Sequence, residues 1–333
     1  MNGLAAAYTH GPGKVISVGP TPVPVPVPGP RLPLPNNLVG RLLVDVLSPQ
    51  RWEPWNQYND HRAYPSPRAA YLVDVDVVVA GRRWPVDPVR RATVGASAPS
   101  LDGPVRLEFI RRTDRLSSGY GSFADALVEL EVGHLTSALV SRAQALGLLA
   151  TTDADGVSVA PGGVARPWTT VRRSSGVGPR GLGADPRPLP HAALETFVAA
   201  TKDADPALRL WLVTRNVVGV PDGLMDEVQR YHGHPQAVID LAAMNLALMV
   251  TADIPAHQDS YWALLRAAGA LGQRVCDAAA SVGMFCRPLR SFDDVGLEAA
   301  LGAPVSHSLL YVLVAARPRA TGFSYDLTPL EST

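Results

Sequence analysis

The chain has 333 residues, of which 47% are hydrophobic and 18% are charged, and its formal net charge is zero. This composition excludes general disorder and allows one large domain or two of ordinary size. The neutral balance argues against nucleic acid or an anionic membrane as the main partner. We see no signal peptide, membrane-spanning run or CxxC motif around Cys276 and Cys286, so we expect a cytoplasmic protein with reduced thiols.

Residues 1–39 are predicted to form a proline-rich N-terminal arm outside the core. The alternating prolines of residues 22–30 remove backbone donors and hold φ near the polyproline II value. Such an arm serves as a spacer or lies along a partner subunit, and the composition leaves both roles open.

Residues 40–165 contain both helix and strand patterns. Apolar spacing predicts a short helix at residues 37–47, and β-branched or alternating runs predict strands at residues 70–79 and 105–110. Residues 123–149 have a helical pattern that we interpret as two helices. Turns or loops are predicted at residues 51–58, 64–68, 84–88 and 119–122.

Residues 166–333 follow the same order of elements. A helix is predicted at residues 193–200, a strand at 208–214 and a long helix at 261–284. A final strand is predicted at residues 308–316, before two arginines.

Two alignments indicate that one α+β unit is duplicated. The strand pattern of residues 70–81 aligns with residues 208–219, and the central helices align at nearly the same offset. The helices carry glycines at matching positions, Gly133 and Gly147 in one copy and Gly269 and Gly283 in the other. Units of this kind commonly pair about a two-fold axis, so a fused duplicate would mimic a homodimer within one chain.

An anion-binding pattern stands near mid-chain, at Arg172, Arg173, Ser174 and Ser175. Adjacent guanidinium groups can make bidentate contacts to a phosphate, and the hydroxyls and loop amides can donate to its remaining oxygens. A solvated arginine pair in a linker is the alternative, and the motif alone does not exclude it.

In their order along the chain, these features resemble the nitroreductase-type flavin-dependent oxidoreductases. Within that group they resemble the azoline dehydrogenases, which form thiazoles and oxazoles in ribosomal peptide natural products. The resemblance covers roughly residues 40–320 and includes the Pro65–Ser66 turn and the helix around Glu131. It implies an α+β fold of two fused, degenerate units, each an antiparallel sheet flanked by helices, that together form a pseudo-dimer.

The resemblance implies FMN bound between the two units. The second unit would hold the phosphate and the pyrimidine edge, through Arg172, Arg173, Ser174, the adjacent Ser175, and Arg317 or Arg319. The first unit would place Pro65 and Ser66 against the isoalloxazine ring.

Each half departs from the family pattern in a different place. No Arg-Arg-Ser segment precedes the first helix of the first half, and residues 202–206 replace the Pro-Ser turn in the second half. We therefore expect one composite FMN site per chain and an empty site at the opposite position.

A further departure concerns proton removal. Azoline dehydrogenases often carry a Lys-Tyr pair before the central helix, and the corresponding residues here are Gly119 and Tyr120. Tyr120 is the candidate catalytic residue, but a phenol with a pKa near 10 is a poor base at neutral pH without an activating neighbour.

Three functions remain open. The first is FMN-dependent oxidation of azolines to azoles in a modified precursor peptide, with a cyclodehydratase or another biosynthetic enzyme as a possible partner. The second is an NAD(P)H-driven reductase of nitro, quinone or enamide substrates. The third is a non-catalytic subunit that binds a leader peptide or a partner enzyme, and a homodimer is compatible with each.

Other polar residues have simpler interpretations. His232 and His234 lack a third ligand at a recognised spacing, so no metal site is predicted. His134 is interpreted as a core or interface histidine, Arg290 as a surface residue, and Asp293 as part of a helix N-cap.

Overall fold

The computed structural model describes residues 27–52, 61–166, 177–178, 181–182, 184–237, 239–319 and 325–327. The first half contains β1 Arg31–Pro33, α1 Leu38–Leu47, β2 Arg51–Trp52, β3 Val73–Val79, β4 Arg82–Asp87, β5 Ala92–Val94, β6 Val105–Arg111, α2 Ser117–Tyr120, α3 Phe123–Ala145, β7 Leu148–Asp153 and β8 Gly156–Pro161. The second half contains β9 Val177–Gly178, β10 Gly181–Leu182, α4 His191–Ala199, β11 Leu208–Thr214, α5 Met225–Arg230, β12 Leu246–Asp253, α6 Tyr261–Ser281, β13 Phe285–Leu289, α7 Asp294–Leu301, β14 His307–Ala316 and β15 Tyr325–Asp326.

The first half forms a seven-stranded sheet in the order β1-β5-β4-β3-β6-β8-β7. Neighbouring strands in this sheet are antiparallel. Burial alternates along β3 and β6, so one face of the sheet packs on the core and the other is more open. That buried face lies against α3.

The second half forms a four-stranded antiparallel sheet in the order β11-β12-β14-β13. β12 and β14 are buried along nearly their whole length because apolar clusters cover both faces. Leu246, Leu248 and Val250 belong to the large cluster. Ala247 and Met249 point to a smaller cluster that lies within the second half.

The strand order confirms the duplication. The strands β3-β6-β8-β7 and β11-β12-β14-β13 follow the same order, and in each set one long helix comes between the first two strands and the last two along the chain. The glycines after these helices, Gly147 and Gly283, both have φ of 73°, in the left-handed region that favours glycine.

The two long helices cross at the aligned glycines. A Cβ atom on Gly133 would lie 2.0 Å from Arg266 O, and one on Gly269 would lie 2.0 Å from Leu130 O. The contact is reciprocal, as expected about a pseudo-two-fold axis. The largest core cluster contains residues of both halves, so the two units form a pseudo-dimer.

Several sequence predictions were accurate. α1 begins after Asn37, whose side chain accepts a hydrogen bond from Gly40 N, and β3, β6, α4, β11, α6 and β14 lie where they were expected. β1 belongs to the segment predicted as an arm, and it pairs with β5 of the first sheet.

Three local predictions were wrong. Residues 84–88 fall largely in β4, because Pro85 sits in the strand opposite Asp76 and the reversal occurs instead at Ala80 and Gly81. Of residues 119–122, predicted as a loop, Gly119 and Tyr120 belong to α2, and only 121 and 122 form a turn. Residues 123–149 form one helix followed by a strand, because Gly133 is a helix contact and not a break.

No helix in the described part of the chain is both long and apolar enough to cross a bilayer.

Candidate functional site

The turn at residues 64–71 lies just before β3 and has unusual backbone angles. Arg68, Ala69 and Tyr71 have φ of 55°, 53° and 47°, in the left-handed region that non-glycine residues rarely adopt. Each such residue costs on the order of 1 kcal/mol and persists only where the surroundings hold it. Tyr64 and Pro65, the first two residues of the turn, are buried, and their packing helps to hold the turn in place.

Ser66 ties this turn to α3. Its Oγ donates to Glu131 Oε2 over 2.6 Å and accepts a hydrogen bond from Tyr71 N over 2.7 Å. Ser66 is only partly buried, whereas the carboxyl that it contacts is in the core.

Glu131 is the buried end of this contact, with 1% of its surface exposed. Its Oε1 accepts a hydrogen bond from Val73 N over 3.2 Å. Burial raises the pKa of Glu131 to about 7, against the lowering effects of the Ser66 hydrogen bond, Arg62 and Arg115. This carboxyl can therefore gain or lose a proton near neutral pH.

A second buried polar cluster joins the halves around His134. Its Nδ1 lies 3.2 Å from Gln273 Oε1 and its Nε2 lies 3.0 Å from Tyr311 Oη, which suits a neutral ring protonated on Nδ1. Gln273 Nε2 also donates to Ala63 O over 3.1 Å, beside the turn. Gly272 leaves room for the cluster, since its Cβ would lie 2.8 Å from His134 Cε1.

These contacts are confined to one side of the pseudo-dimer. The repeat alignment places Ala204 opposite Ser66 and Ala267 opposite Glu131. An alanine pair cannot form the hydrogen bond that the serine and glutamate form. The two sets of aligned positions therefore differ in chemistry.

Tyr120 lies at the end of α2, just before the N-terminus of α3. Its ring stacks on Phe123, with 6.3 Å between centroids and 29° between planes. Phe123 precedes Glu131 by eight residues of α3, which is about 12 Å of helix rise. The structure therefore places Tyr120 away from the Ser66–Glu131 pair.

Arg290 was predicted at the surface, and this was wrong. Its side chain is 11% exposed and forms an ion pair with Asp294 over 2.6 Å. It also donates to Leu309 O over 2.8 Å, because β13 turns the guanidinium group inward. Asp293 caps α7 as predicted, accepting from Gly296 N.

Only some of the residues predicted to bind the phosphate are among the described residues. Arg172, Arg173, Ser174 and Ser175 lie outside the described residues, so their position relative to the Pro65–Ser66 turn remains a prediction. Arg317 and Arg319 follow β14, and Arg319 is exposed.

Arg317 is bound to the segment before α4. Its Nη2 donates to Pro188 O over 2.5 Å and to Arg187 O over 3.2 Å. Its Nε is buried, with no hydrogen-bond partner among the described residues. An unsatisfied cationic donor at this place fits an anion such as a phosphate.

The His232–His234 pair has a local explanation. His234 N donates to His232 Nδ1 over 3.3 Å, and burial lowers the pKa of His232 to about 4. No group of three or more His, Cys, Asp or Glu side chains in the described ranges could hold a metal ion.

The sequence did not predict the buried contacts of Glu131, Gln273 and Tyr311. The available signal was a set of polar side chains on otherwise apolar faces of α3, α6 and β14. Which of them meet depends on the helix crossing, which the sequence pattern does not contain.

The fold matches known structures of one class. A crystal structure of a protein from Anabaena variabilis, assigned as a nitroreductase, superposes with a TM-score of 0.66 at 14% identity, covering 85% of this chain and 88% of that chain. A protein from Desulfovibrio desulfuricans, assigned as a nitroreductase and solved with FMN, has a TM-score of 0.33 at 18% identity and covers 44% of this chain and 87% of its own. A chain of the E. coli microcin synthetase McbBCD complex has a TM-score of 0.34 at 11% identity, with coverages of 39% and 64%.

No protein-family model and no curated protein sequence matches the chain. The match over most of both chains shows the fold. The chain therefore has the nitroreductase fold, built from two fused units.

Proposed function

We propose that the chain is an FMN-dependent oxidoreductase with one flavin site, formed between its two halves. The halves are residues 40–165 and 166–333, preceded by the arm of residues 1–39. The observation that carries the proposal is the one-sided turn, in which Ser66 is held by Glu131 while the opposite position has Ala204 and Ala267. The nitroreductase fold supports a flavin at the interface between units.

In this proposal the second half holds the phosphate. Arg172, Arg173, Ser174 and Ser175 supply its first contacts. Arg317 completes the site through its Nε, which has no hydrogen-bond partner among the described residues, with Arg319 adjacent. Pro65 and Ser66 lie against the ring. When bound, FMN supplies the capacity to accept two electrons as a hydride, and the protein supplies position and electrostatics.

The finer proposal is that the substrate is an azoline ring in a modified precursor peptide. It rests on the sequence resemblance described above. The protein would then act with other biosynthetic enzymes, among them a cyclodehydratase that forms the azoline. Tyr120, which lies near Phe123, would contact the peptide rather than the Ser66–Glu131 pair.

The first test is the visible spectrum of the purified protein, with the released cofactor identified and counted per chain. We expect close to one FMN per chain. The double variant R172A/R173A should lose the flavin, whereas R209A, which removes an exposed arginine on β11, should retain it. A protein that stays colourless after incubation with FMN would overturn flavin binding, and two FMN per chain would overturn the single site.

The substrate class is tested on the flavin-loaded protein. Azoline oxidation predicts turnover of azoline peptides with oxygen as electron acceptor and no need for NAD(P)H. Rapid bleaching of the flavin by NAD(P)H, without azoline oxidation, would instead identify a reductase.

A further inference from the structure

We propose that Ser66 and Glu131 form a proton relay, in which the Ser66 hydroxyl passes a substrate proton to the Glu131 carboxylate. The proposal rests on the oxidoreductase function above and supplies the proton acceptor that the absent lysine leaves open.

The step balances as a two-electron oxidation of the substrate ring. One ring carbon loses a proton to Ser66 Oγ while the Ser66 hydroxyl proton moves to Glu131 Oε2. The electron pair of the broken C–H bond forms the new double bond. The adjacent carbon would lose a hydride, and bound FMN would supply the two-electron acceptor for it.

The hydrogen bonds have the direction that the relay needs. An ionised carboxylate can only accept, so Ser66 donates to Glu131 across the 2.6 Å contact. The serine oxygen has two lone pairs, and one accepts from Tyr71 N. The second lone pair remains to take up an incoming proton.

Ser66 lies nearer the surface than Glu131. Glu131 is 1% exposed, and Ser66 is partly exposed on the turn. A substrate on the outer side of the turn would reach the carboxyl through the serine hydroxyl. Val73 N holds the other carboxylate oxygen, so the acceptor is fixed in place.

The charges around Glu131 leave it able to change its protonation state. Arg62 and Arg115 face it from the neighbouring segments, but Arg115 is already paired with Asp74 over 2.7 Å. The buried Tyr64 phenol also faces it, with a pKa raised by burial, and His134 on the same helix suits a neutral form. Burial outweighs the cations and brings the pKa of Glu131 to about 7, near the working pH, where a proton acceptor is most effective.

The aligned positions in the second half have no counterpart of the relay, since Ala204 and Ala267 carry no proton-accepting group. The relay therefore marks one side of the pseudo-dimer as the reacting side.

The test compares E131Q with E129Q. Glu129 lies on the same helix but pairs with Arg111 and Arg266, so E129Q removes a carboxyl without touching the turn. In the cofactor-free protein, difference infrared spectra across a pH titration should show a carboxyl band with a midpoint near pH 7. Burial also raises the pKa of Glu298 to about 7, so this carboxyl contributes to the same band. We expect the full band in wild type and E129Q, a weaker band in E131Q, and its loss in the double variant E131Q/E298Q.

The same variants are then assayed with FMN bound and an azoline peptide. E131Q should lower kcat at least 100-fold with flavin content unchanged, and should remove the inflection near pH 7 from the rate profile. S66A should lower kcat and remove the inflection as E131Q does, S66T should recover part of the lost rate through its hydroxyl, and E129Q should stay within a few-fold of wild type.

The two proposals fail in different ways. A carboxyl band near pH 7 that keeps its full intensity in E131Q, or an E131Q protein with wild-type kcat, would overturn the relay while leaving flavin binding intact. A wild-type protein that binds no FMN would overturn the oxidoreductase and the relay with it.

Discussion

Glu131 shows how surroundings decide the behaviour of a single side chain. Its neighbour on the same helix, Glu129, forms ion pairs with two arginines, whereas Glu131 is enclosed and bonded to a hydroxyl and a backbone amide. Both residues are acidic and two positions apart in the sequence. The difference in packing makes Glu129 part of an ion pair and raises the pKa of Glu131 to near neutrality.

The raised pKa of Glu131 predicts how stability depends on pH. The folded state holds the proton more tightly than the unfolded chain, whose pKa is near 4.5. The stabilising effect is therefore complete below about pH 4.5 and is lost as pH rises through about 7, a change of up to about 3 kcal/mol. E131Q should reduce this loss, measured as the free energy of unfolding in urea at pH 5 and pH 8.

Glu298 provides the comparison, because burial also raises its pKa to about 7. E298Q should also reduce the loss of unfolding free energy between pH 5 and pH 8, and the double variant E131Q/E298Q should reduce it further. If E131Q lost as much unfolding free energy between pH 5 and pH 8 as wild type does, the raised pKa of Glu131 would be contradicted.

At the scale of elements, the α3–α6 crossing organises the molecule. Each helix places a glycine where the other's backbone passes, so the two backbones approach more closely than side chains would allow. Glu131 and His134 on α3 and Gln273 on α6 lie within about one turn of this crossing. The position of the buried polar groups follows from the helix contact.

The variant G133A tests this crossing. A methyl group there would meet backbone atoms at 2.0 Å and 2.8 Å, which cannot move cheaply. Overpacking costs up to about 3 kcal/mol, while replacing glycine in a helix gains about 1 kcal/mol, so we expect a net loss of about 2 kcal/mol. Chemical denaturation measures it.

The control is G103A, where a Cβ would have no atom within 4 Å. It should change the free energy of unfolding by less than about 0.5 kcal/mol. Equal effects of the two substitutions would contradict a close helix contact at Gly133.

Sequence patterns predicted most elements and the equivalence of Gly133 and Gly269. They did so because helix and strand periodicity is local, and because a repeat shows itself in spacing. They did not predict that the two glycines touch each other, that Glu131 binds Ser66, or that Arg290 is buried. Those contacts depend on how distant segments pack, and Pro85 in β4 shows that tertiary pairing can override a turn signal.

At the scale of the whole molecule, the two halves share one core. The main cluster includes Leu43, Leu107 and Leu135 from the first half and Leu271 and Leu313 from the second. The buried cluster thus runs through both halves.

We therefore expect the intact chain to unfold in one transition, with coincident circular dichroism and tryptophan fluorescence curves. Residues 27–165 and 166–333 expressed separately should lack a cooperative transition, and their co-expression should restore a complex. A half that unfolds cooperatively alone would show that the interface is an addition to two complete domains.

The fused arrangement has a consequence for how such a protein can change over generations. In a dimer of identical chains, one codon specifies a residue in both clefts, so any mutation alters them together. Here positions 131 and 267 are encoded separately, and they have become glutamate and alanine. Selection can thus act on each position alone, so a change at residue 267 leaves residue 131 as it is.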